Sequence, residues 1–150
     1  MNVDKHFTAT TYIFDPKQPQ TLLHFHPKLN SWLPAGGHLE ANEAPHEAAL
    51  REIYEEIGDC TINLISGNSS ELLQIDDRGK FLPMPHYLLS EKIEEYHYHL
   101  DWIFYAWLIG DVDLNFKNGF RWFSKSEIVT LENCFENVKQ LALIGFDKFY

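Results

Sequence analysis

The residues best suited to chemistry are three crowded glutamates, Glu52, Glu55 and Glu56. Their spacings, i,i+3 and i,i+4 from Glu52, bring the carboxylates together on one side of a helix. Like charges at these spacings each destabilise a helix by roughly a few tenths of a kcal/mol, and the dipole of the last helical turn adds a similar cost. A hard divalent cation bound by oxygen ligands would reverse the sign of these penalties. The pattern therefore predicts a site for such a cation.

Arg51 is placed to support that site. It lies four residues before Glu55, so its planar guanidinium can hold a carboxylate in a fixed direction. The alternative interpretation is a solvated acidic helix face, because glutamate-rich faces are common on protein surfaces. The spacing of residues over the longer stretch 36–58 favours the cation site.

That stretch as a whole resembles the signature of the Nudix hydrolases. It reads Gly37, five residues, Glu43, seven residues, Arg51-Glu52-Ile53, one residue, Glu55-Glu56, one residue and Gly58. Seven fixed polar or glycine positions would rarely agree by chance. One position departs from the family pattern, because Asp59 stands where the family prefers an aliphatic residue that helps to pack this segment against the sheet. The preceding Leu-Pro-Ala-Gly-Gly-His segment also resembles the loop that leads into the family's helix.

The resemblance implies an α+β fold, namely an α/β/α sandwich with a mixed central sheet and a loop-helix-loop catalytic motif. It implies one Nudix domain over residues 1–150. The implied activity is hydrolysis of a diphosphate linkage in a nucleoside di- or triphosphate or a nucleoside diphosphate derivative. The implied ligands of Mg²⁺, with Mn²⁺ as an alternative, are Glu52, Glu55, Glu56 and the backbone carbonyl of Gly36.

The same resemblance assigns catalytic roles. Arg51 and Glu43 match the pair that orients the carboxylates. A diphosphate is a poor electrophile because of its own negative charge, and Mg²⁺ would neutralise it, position it and lower the pKa of the attacking water. The family takes its general base from the signature or from a downstream loop, so this assignment stays open. Glu52 is the first choice, and the alternatives are Glu94, Glu95 and Asp111.

The elements that must position these groups follow from hydrophobic patterning. Pro45 near the start and Gly58 after the end predict a helix over residues 43–57. A rotation of 100° per residue gives this helix an apolar face opposite the glutamates, with Ala48 and Ala49 beside the acidic face. The residues expected to pack are His46, Leu50, Ile53, Tyr54 and Ile57.

Runs of β-branched and aromatic residues predict the strands, which are expected over residues 6–14, 21–26, 61–65, 70–75, 96–109 and 120–124. The first two are expected to form a hairpin, the long aromatic run 96–109 is expected to be the central strand, and residues 26–42 are expected to form a loop. Helical pieces are expected over 126–131 and 133–146. The second carries apolar residues at Val138, Leu141, Ala142 and Gly145.

Candidate substrate contacts lie on the strands. His97, His99 and Asp101 alternate, so they share one face, and they either contact a phosphate, a ribose or a second metal ion, or form a polar strand end hydrogen-bonded within the sheet. His24 and His26 pose the same choice, and four histidines would approach the acidic helix if the two strands were neighbours. Lys28 could meet a phosphate or be solvated, while Trp32, Tyr105 and Trp107 could stack on a base or belong to the core.

Composition bounds the remaining possibilities. With 22 acidic and 12 basic residues the formal charge is −10, which disfavours a stable nucleic-acid complex and means that phosphate chemistry would need a metal ion. Cys60 and Cys134 show neither disulfide nor zinc-finger spacing, and we find no signal peptide or long apolar run. These features predict a cytoplasmic protein that acts on a small nucleotide-like molecule without a membrane. Oligomeric state stays open, with a homodimer as one candidate.

Two other functions compete with hydrolysis. Some Nudix domains are nucleotide sensors without turnover, but these usually lose signature glutamates that this chain retains. Some Nudix relatives isomerise isoprenoid diphosphates with a histidine-rich metal site and a catalytic cysteine, but neither cysteine here stands in a catalytic setting. Base and sugar contacts come from loops, so the sequence does not predict which nucleotide is cleaved.

Overall fold

A computed structural model of the chain describes residues 2–67, 76–110 and 119–150. Within these ranges eight strands form one mixed sheet with helices on both of its faces, so the expected α/β/α sandwich is confirmed. The strands are β1 (Asp4–Phe14), β2 (Gln20–His26), β3 (Ser31–Leu33), β4 (Ala35–His38), β5 (Thr61–Ile65), β6 (Tyr87–Glu94), β7 (His97–Ile109) and β8 (Phe120–Ser124). The helices are α1 (Pro45–Ile57), α2 (Lys125–Thr130) and α3 (Glu136–Phe149). The strand expected over residues 70–75 and the candidate base Asp111 lie outside the described residues.

The two longest strands, β1 and β7, form the centre of the sheet. They pair in parallel along their length, from Asp4 opposite His97 to Phe14 opposite Trp107. On its other edge β1 pairs antiparallel with two strands, with β2 near the C-terminal end of β1 and with β4 along its middle. The predicted hairpin of β1 and β2 and the central position of β7 are therefore confirmed. The remaining pairs join β2 to β3 and β8, and β7 to β5 and β6.

The strands β3, β4 and β6 differ from the sequence-based prediction. Residues 26–42 are predicted to form a loop, but within this segment Ser31–Leu33 form β3 and Ala35–His38 form β4. Such short segments, with two glycines in β4, have little strand propensity of their own and depend on β1 and β2 for their hydrogen bonds. The exposed strand β6 was not predicted, because its sequence YLLSEKIE is rich in charged and polar residues and its outer edge faces solvent.

Helix α1 packs on one face of the sheet through small side chains. Ala48, Ala49 and Ile53 are at most 1% exposed, and the two alanines contact Ala9 and Phe104 of the central strands. The predicted packing face was therefore partly wrong. Leu50 is only half-buried and Tyr54 is 45% exposed, since the alanines let the helix backbone approach the sheet and turn those residues outward.

Helices α2 and α3 cover the other face, but only over part of its length. There Tyr12, Phe14 and Tyr105 of the central strands form the main core with α3, and the Tyr105 hydroxyl donates to the Leu141 carbonyl at 2.7 Å. Gly145 permits the close approach of α3, because a Cβ at this position would overlap the Phe14 ring. The apolar spacing predicted for this helix is confirmed, since its four positions are buried: Val138, Leu141, Ala142 and Gly145.

Two further observations concern the described ranges. Cys60 and Cys134 are free thiols, and both are half-buried against core residues. No helix in these ranges combines the length and the hydrophobicity that crossing a lipid bilayer requires.

Candidate active site

The candidate site lies where β4 runs past α1. Pro45 occupies the first turn of the helix, and the Ala44 amide donates to the Glu47 carboxylate at 2.8 Å, which fixes where the helix begins. At the other end the Gly58 amide donates to the Tyr54 carbonyl, and its φ of +95° ends the helix directly after the acidic cluster. No basic residue offsets the dipole of the last turn.

Gly37 brings β4 close to the helix. A Cβ at this position would overlap the Glu52 carboxylate, lying 2.8 Å from Oε2 and closer to the other atoms. Gly36, its neighbour, donates its amide to Glu56 Oε1 at 3.3 Å. The two glycines therefore let the strand backbone lie directly against two of the carboxylates.

Arg51 organises the carboxylates around it. It binds Glu43 through two hydrogen bonds, from Nε at 2.7 Å and from Nη2 at 3.0 Å. Nη1 donates to Glu52 Oε1 at 2.8 Å and to Glu55 Oε2 at 3.2 Å, while Nη2 also donates to the His38 carbonyl at 2.9 Å. These five bonds match the five N–H donors of a guanidinium, so its orientation is fixed from every side.

The charges of this network influence one another. The hydrogen bonds from Arg51 hold the pKa of Glu43 below its usual range, and the carboxylates of Glu43 and Glu52 raise the pKa of Arg51. The side chains of these three residues are 13 to 21% exposed, whereas that of Glu55 is 59% exposed. Glu55 therefore projects towards solvent, while Glu52 is held between Arg51 and Gly37.

Glu56 has the most perturbed carboxyl group of the signature. Burial raises its pKa to about 7, against the hydrogen bond from the Gly36 amide, and the negative charges of Glu52 and Glu55 raise it further. His24 Nε2 lies 3.5 Å from its Oε2, and burial lowers the pKa of that imidazole. With a pKa of about 7, this carboxyl is about half protonated at neutral pH when no cation is present.

The donors fit an oxygen-coordinated divalent cation. Three carboxylates, those of Glu43, Glu52 and Glu55, contact one guanidinium, and the raised pKa of Glu56 is the response of a fourth carboxyl group to burial and to neighbouring negative charge that Arg51 does not offset. Mg²⁺ accepts carboxylate and carbonyl oxygens and keeps part of its coordination for water and substrate. The groups that could hold it are those expected from sequence: Gly36, Glu52, Glu55 and Glu56.

The other predicted substrate contacts are dispersed. Of these, His24 reaches Glu56, whereas the Nδ1 of His26 accepts the Leu29 amide at 3.3 Å and Lys28 is exposed in the turn after β2. Trp32 packs edge-on against Phe25 and Phe123 beside the core. Tyr105 is fully buried and Trp107 packs against the same cluster, so the core interpretation holds for both.

The residues predicted on β7 lie away from the acidic helix. Because β1 separates β2 from β7, the two strands are not neighbours, and the condition under which four histidines would approach α1 is not met. Asp101 is buried and accepts a hydrogen bond from the Thr8 hydroxyl at 2.9 Å, which confirms the polar strand interpretation for this residue. His97 and His99 instead meet two histidines that the sequence reading did not single out.

Those two residues are His6 of β1 and His38 of β4. The ring of His6 lies 4.7 Å from that of His97, and the ring of His38 lies 4.9 Å from that of His99. Alternation along β1 could have placed His6 on one face of its strand. The sequence does not show, however, which strand β1 pairs with or in what register.

This geometry can be compared with known proteins. The NUDIX domain model matches residues 4–143 of the chain. The crystal structure of a hydrolase of the NUDIX family from Clostridium perfringens has a TM-score of 0.77 and 28% sequence identity, and the match covers 100% of both chains.

Two more distant structures share the fold. The Ap4A hydrolase of C. elegans has a TM-score of 0.68 at 17% identity over 96% of this chain and 97% of its own. The MutT protein of Methanosarcina mazei Go1 has a TM-score of 0.67 at 17% identity over 99% of this chain and 96% of its own. Among curated proteins no sequence matches at a significant level.

Proposed function

The chain belongs to the NUDIX domain family, and on that premise we propose that it is a Mg²⁺-dependent pyrophosphohydrolase. Its substrate is a nucleoside di- or triphosphate or a nucleoside diphosphate derivative, and the bond that breaks is a diphosphate linkage. Mn²⁺ is the alternative ion, because it also accepts carboxylate and carbonyl oxygens.

The observation that carries this proposal is the five-bond network of Arg51. The alternative, a solvated acidic helix face, does not require a guanidinium that hydrogen-bonds to Glu43, Glu52, Glu55 and the β4 backbone at the same time. Side chains held by such a network keep a fixed geometry, which is what a catalytic metal site requires of its ligands. Arg51 and Glu43 are therefore positioning residues in this proposal.

The roles of the chain's own groups follow from their contacts. Glu52, Glu55, Glu56 and the Gly36 carbonyl would hold the ion, which supplies charge neutralisation for the diphosphate and a more acidic attacking water. Arg51 bonds Glu52 through Oε1, so Oε2 is the atom that we assign to accept the proton of that water. Glu56 must lose its own proton before it can serve as a ligand.

The test is product release from a panel of nucleotides in the presence of Mg²⁺. The panel includes canonical and damaged nucleoside triphosphates, ADP-ribose, dinucleoside polyphosphates and sugar nucleotides. We expect Glu55→Gln to lower kcat by roughly 10² to 10³-fold, the scale at which loss of a transition-state charge contact acts.

Glu47→Gln is the matched control. It makes the same chemical change on the same helix, and a glutamine can still accept the Ala44 amide. Equal turnover in the two variants would reject the site, and tight nucleotide binding without turnover by the unaltered chain would support a sensor instead.

A further inference from the structure

Three histidines meet on the sheet face opposite α1. In the parallel pairing of β1 and β7, His6 stands beside His99, and His97 lies two residues earlier on the same face of β7. Each ring offers a nitrogen, and the three nitrogens all lie within 4.8 Å of one another. The histidines are half-buried, and the residues further along the same faces of β1 and β7, such as Tyr12 and Tyr105, are those that α3 covers.

The separation of the closest pair matches that of two ligands on one ion. His97 Nε2 lies 3.3 Å from His6 Nδ1. Two imidazole nitrogens bound to a tetrahedral zinc ion at about 2.0 to 2.1 Å stand about 3.3 to 3.4 Å apart. Little movement of these two rings is needed to bind an ion between them.

A hydrogen bond between the His6 and His97 rings would not account for the third histidine, His99, which has a buried ring nitrogen. His99 Nε2 is shielded from solvent and has no hydrogen-bond partner among the residues that the structure describes. Burial and the neighbouring histidines lower the pKa of His99, which favours the neutral form of its ring. Neutral imidazole is the form that binds metal ions.

Asp4 supplies a carboxylate behind the cluster. Its Oδ2 lies 3.0 Å from His6 Nε2, on the side of the ring away from His97. A carboxylate in that place accepts a hydrogen bond from Nε2–H and so favours that tautomer, which leaves a lone pair on Nδ1, the atom 3.3 Å from His97 Nε2. Histidines that bind metal ions usually donate their second ring N–H to such a partner.

We propose that His6, His97 and His99 form a binding site for Zn²⁺ or another borderline divalent transition-metal ion, separate from the carboxylates of α1. Three nitrogen ligands suit zinc, cobalt and nickel, whereas Mg²⁺ prefers oxygen. The fourth position is open to water or to an anionic oxygen. His38, whose ring lies 5.4 Å from that of His6, stands at the edge of the site and is not one of its three ligands.

The two paired strands give the site its rigidity. Two ligands come from β7 and the third from β1, and these strands pair without a break over the region that contains them. Sites built on paired strands hold their geometry better than sites on loops. The three rings therefore lie together in the folded chain before any ion binds, with their nitrogens within 4.8 Å of one another.

The test measures Zn²⁺ binding to the full chain by isothermal titration calorimetry and by elemental analysis after dialysis. Excess Mg²⁺ is present throughout, so that the carboxylates of α1 are occupied. The disabled variant carries His6→Gln and His97→Gln. The control variant carries His24→Gln and His26→Gln, which removes the same number of imidazoles from β2.

We expect the unaltered chain and the control to bind one Zn²⁺ each, and the disabled variant to bind it at least about 100-fold more weakly. Asp4→Asn, which keeps every ligand, should weaken binding by about tenfold. Equal zinc affinity in the disabled and control variants would overturn the proposal.

Spectroscopy covers the case in which the disabled variant does not fold. X-ray absorption of the zinc-loaded unaltered chain should show imidazole nitrogens at about 2.0 Å. A shell of oxygen ligands alone, or no zinc retained by the unaltered chain, would equally overturn the proposal.

Discussion

Metal binding by the candidate active site should release a proton from Glu56. Burial raises the pKa of this carboxyl to about 7 in the metal-free protein, and the charges of Glu52 and Glu55 act in the same direction. A divalent cation binds the carboxylate and not the acid, so the proton must leave when the ion binds. The affinity for Mg²⁺ should therefore fall as the pH falls through 7.

The magnitude follows from the fraction of Glu56 that is ionised. With a pKa of about 7 that fraction is about nine tenths at pH 8 and about one tenth at pH 6. The apparent dissociation constant for Mg²⁺ should therefore rise about tenfold between these two values, which corresponds to about 1.4 kcal/mol. Binding should release about 0.9 proton per ion at pH 6 and about 0.1 at pH 8.

Calorimetry in buffers of different ionisation enthalpy measures this proton release directly. Glu56→Gln should bind Mg²⁺ more weakly but without the release, because glutamine has no proton to lose. His24→Gln is the control for the nearby imidazole, and it should retain the release, because the lowered pKa of His24 keeps that ring neutral over this range. Binding at pH 6 without proton release, or with the same release in Glu56→Gln, would refute the reasoning.

Three further predictions concern the fold and the network. Burial raises the pKa of Asp101 from 3.8 to about 6. Its neutral form therefore makes its full contribution to the free energy of unfolding below pH 3.8, and this contribution is lost as the pH rises through 6. Asp101→Asn should therefore raise the free energy of unfolding by up to about 3 kcal/mol at pH 8 and leave it unchanged near pH 3.8, as measured by urea denaturation. Gly37→Ala should lower kcat by about 10²-fold at unchanged stability, because the added Cβ displaces the Glu52 carboxylate. Gly36→Ala should instead lower the free energy of unfolding by about 1 to 3 kcal/mol in urea denaturation, because its Cβ would lie 2.6 Å from a backbone oxygen. Arg51→Lys keeps the charge but not the five bonds, and it should lower kcat by about 10²-fold in the nucleotide assay; full turnover would reject the positioning role.

Local signals explain the parts of the fold that the sequence predicts well. The boundaries of α1 follow from Pro45 and Gly58, and the run that forms β7 is too aromatic and too rich in branched residues to favour a helix. The positions of Glu52, Glu55 and Glu56 on one helix follow from their spacing alone. Each of these features depends on neighbours in the chain, which a single sequence contains.

Features that depend on distant partners could not be predicted in the same way. His6 and His99 are 93 residues apart, and only the parallel register of β1 and β7 places them side by side. The buried face of α1 shows the same limit, because the burial of Ala48 in place of Tyr54 depends on how close the sheet lies to the helix. Hydrophobic periodicity shows which residues share a face of a helix or strand, but it does not give the distance to the neighbouring element that packs on that face.

The alternation of side chains along β4 shows how the two proposed metal sites, of different chemistry, would adjoin. Gly37 faces α1, where its missing Cβ makes room for Glu52, while the next residue, His38, turns to the opposite face, beside His6 and His99. The glutamates of α1 therefore lie on one side of the sheet, and the cluster of His6, His97 and His99 lies on the other. Hard and borderline ions sort between such donor sets by preference, so a magnesium site and a zinc site need not compete for one ion. Arg51 donates to the carbonyl of His38, the residue of β4 whose ring stands at the edge of the histidine cluster, so both groups of side chains adjoin the same short strand.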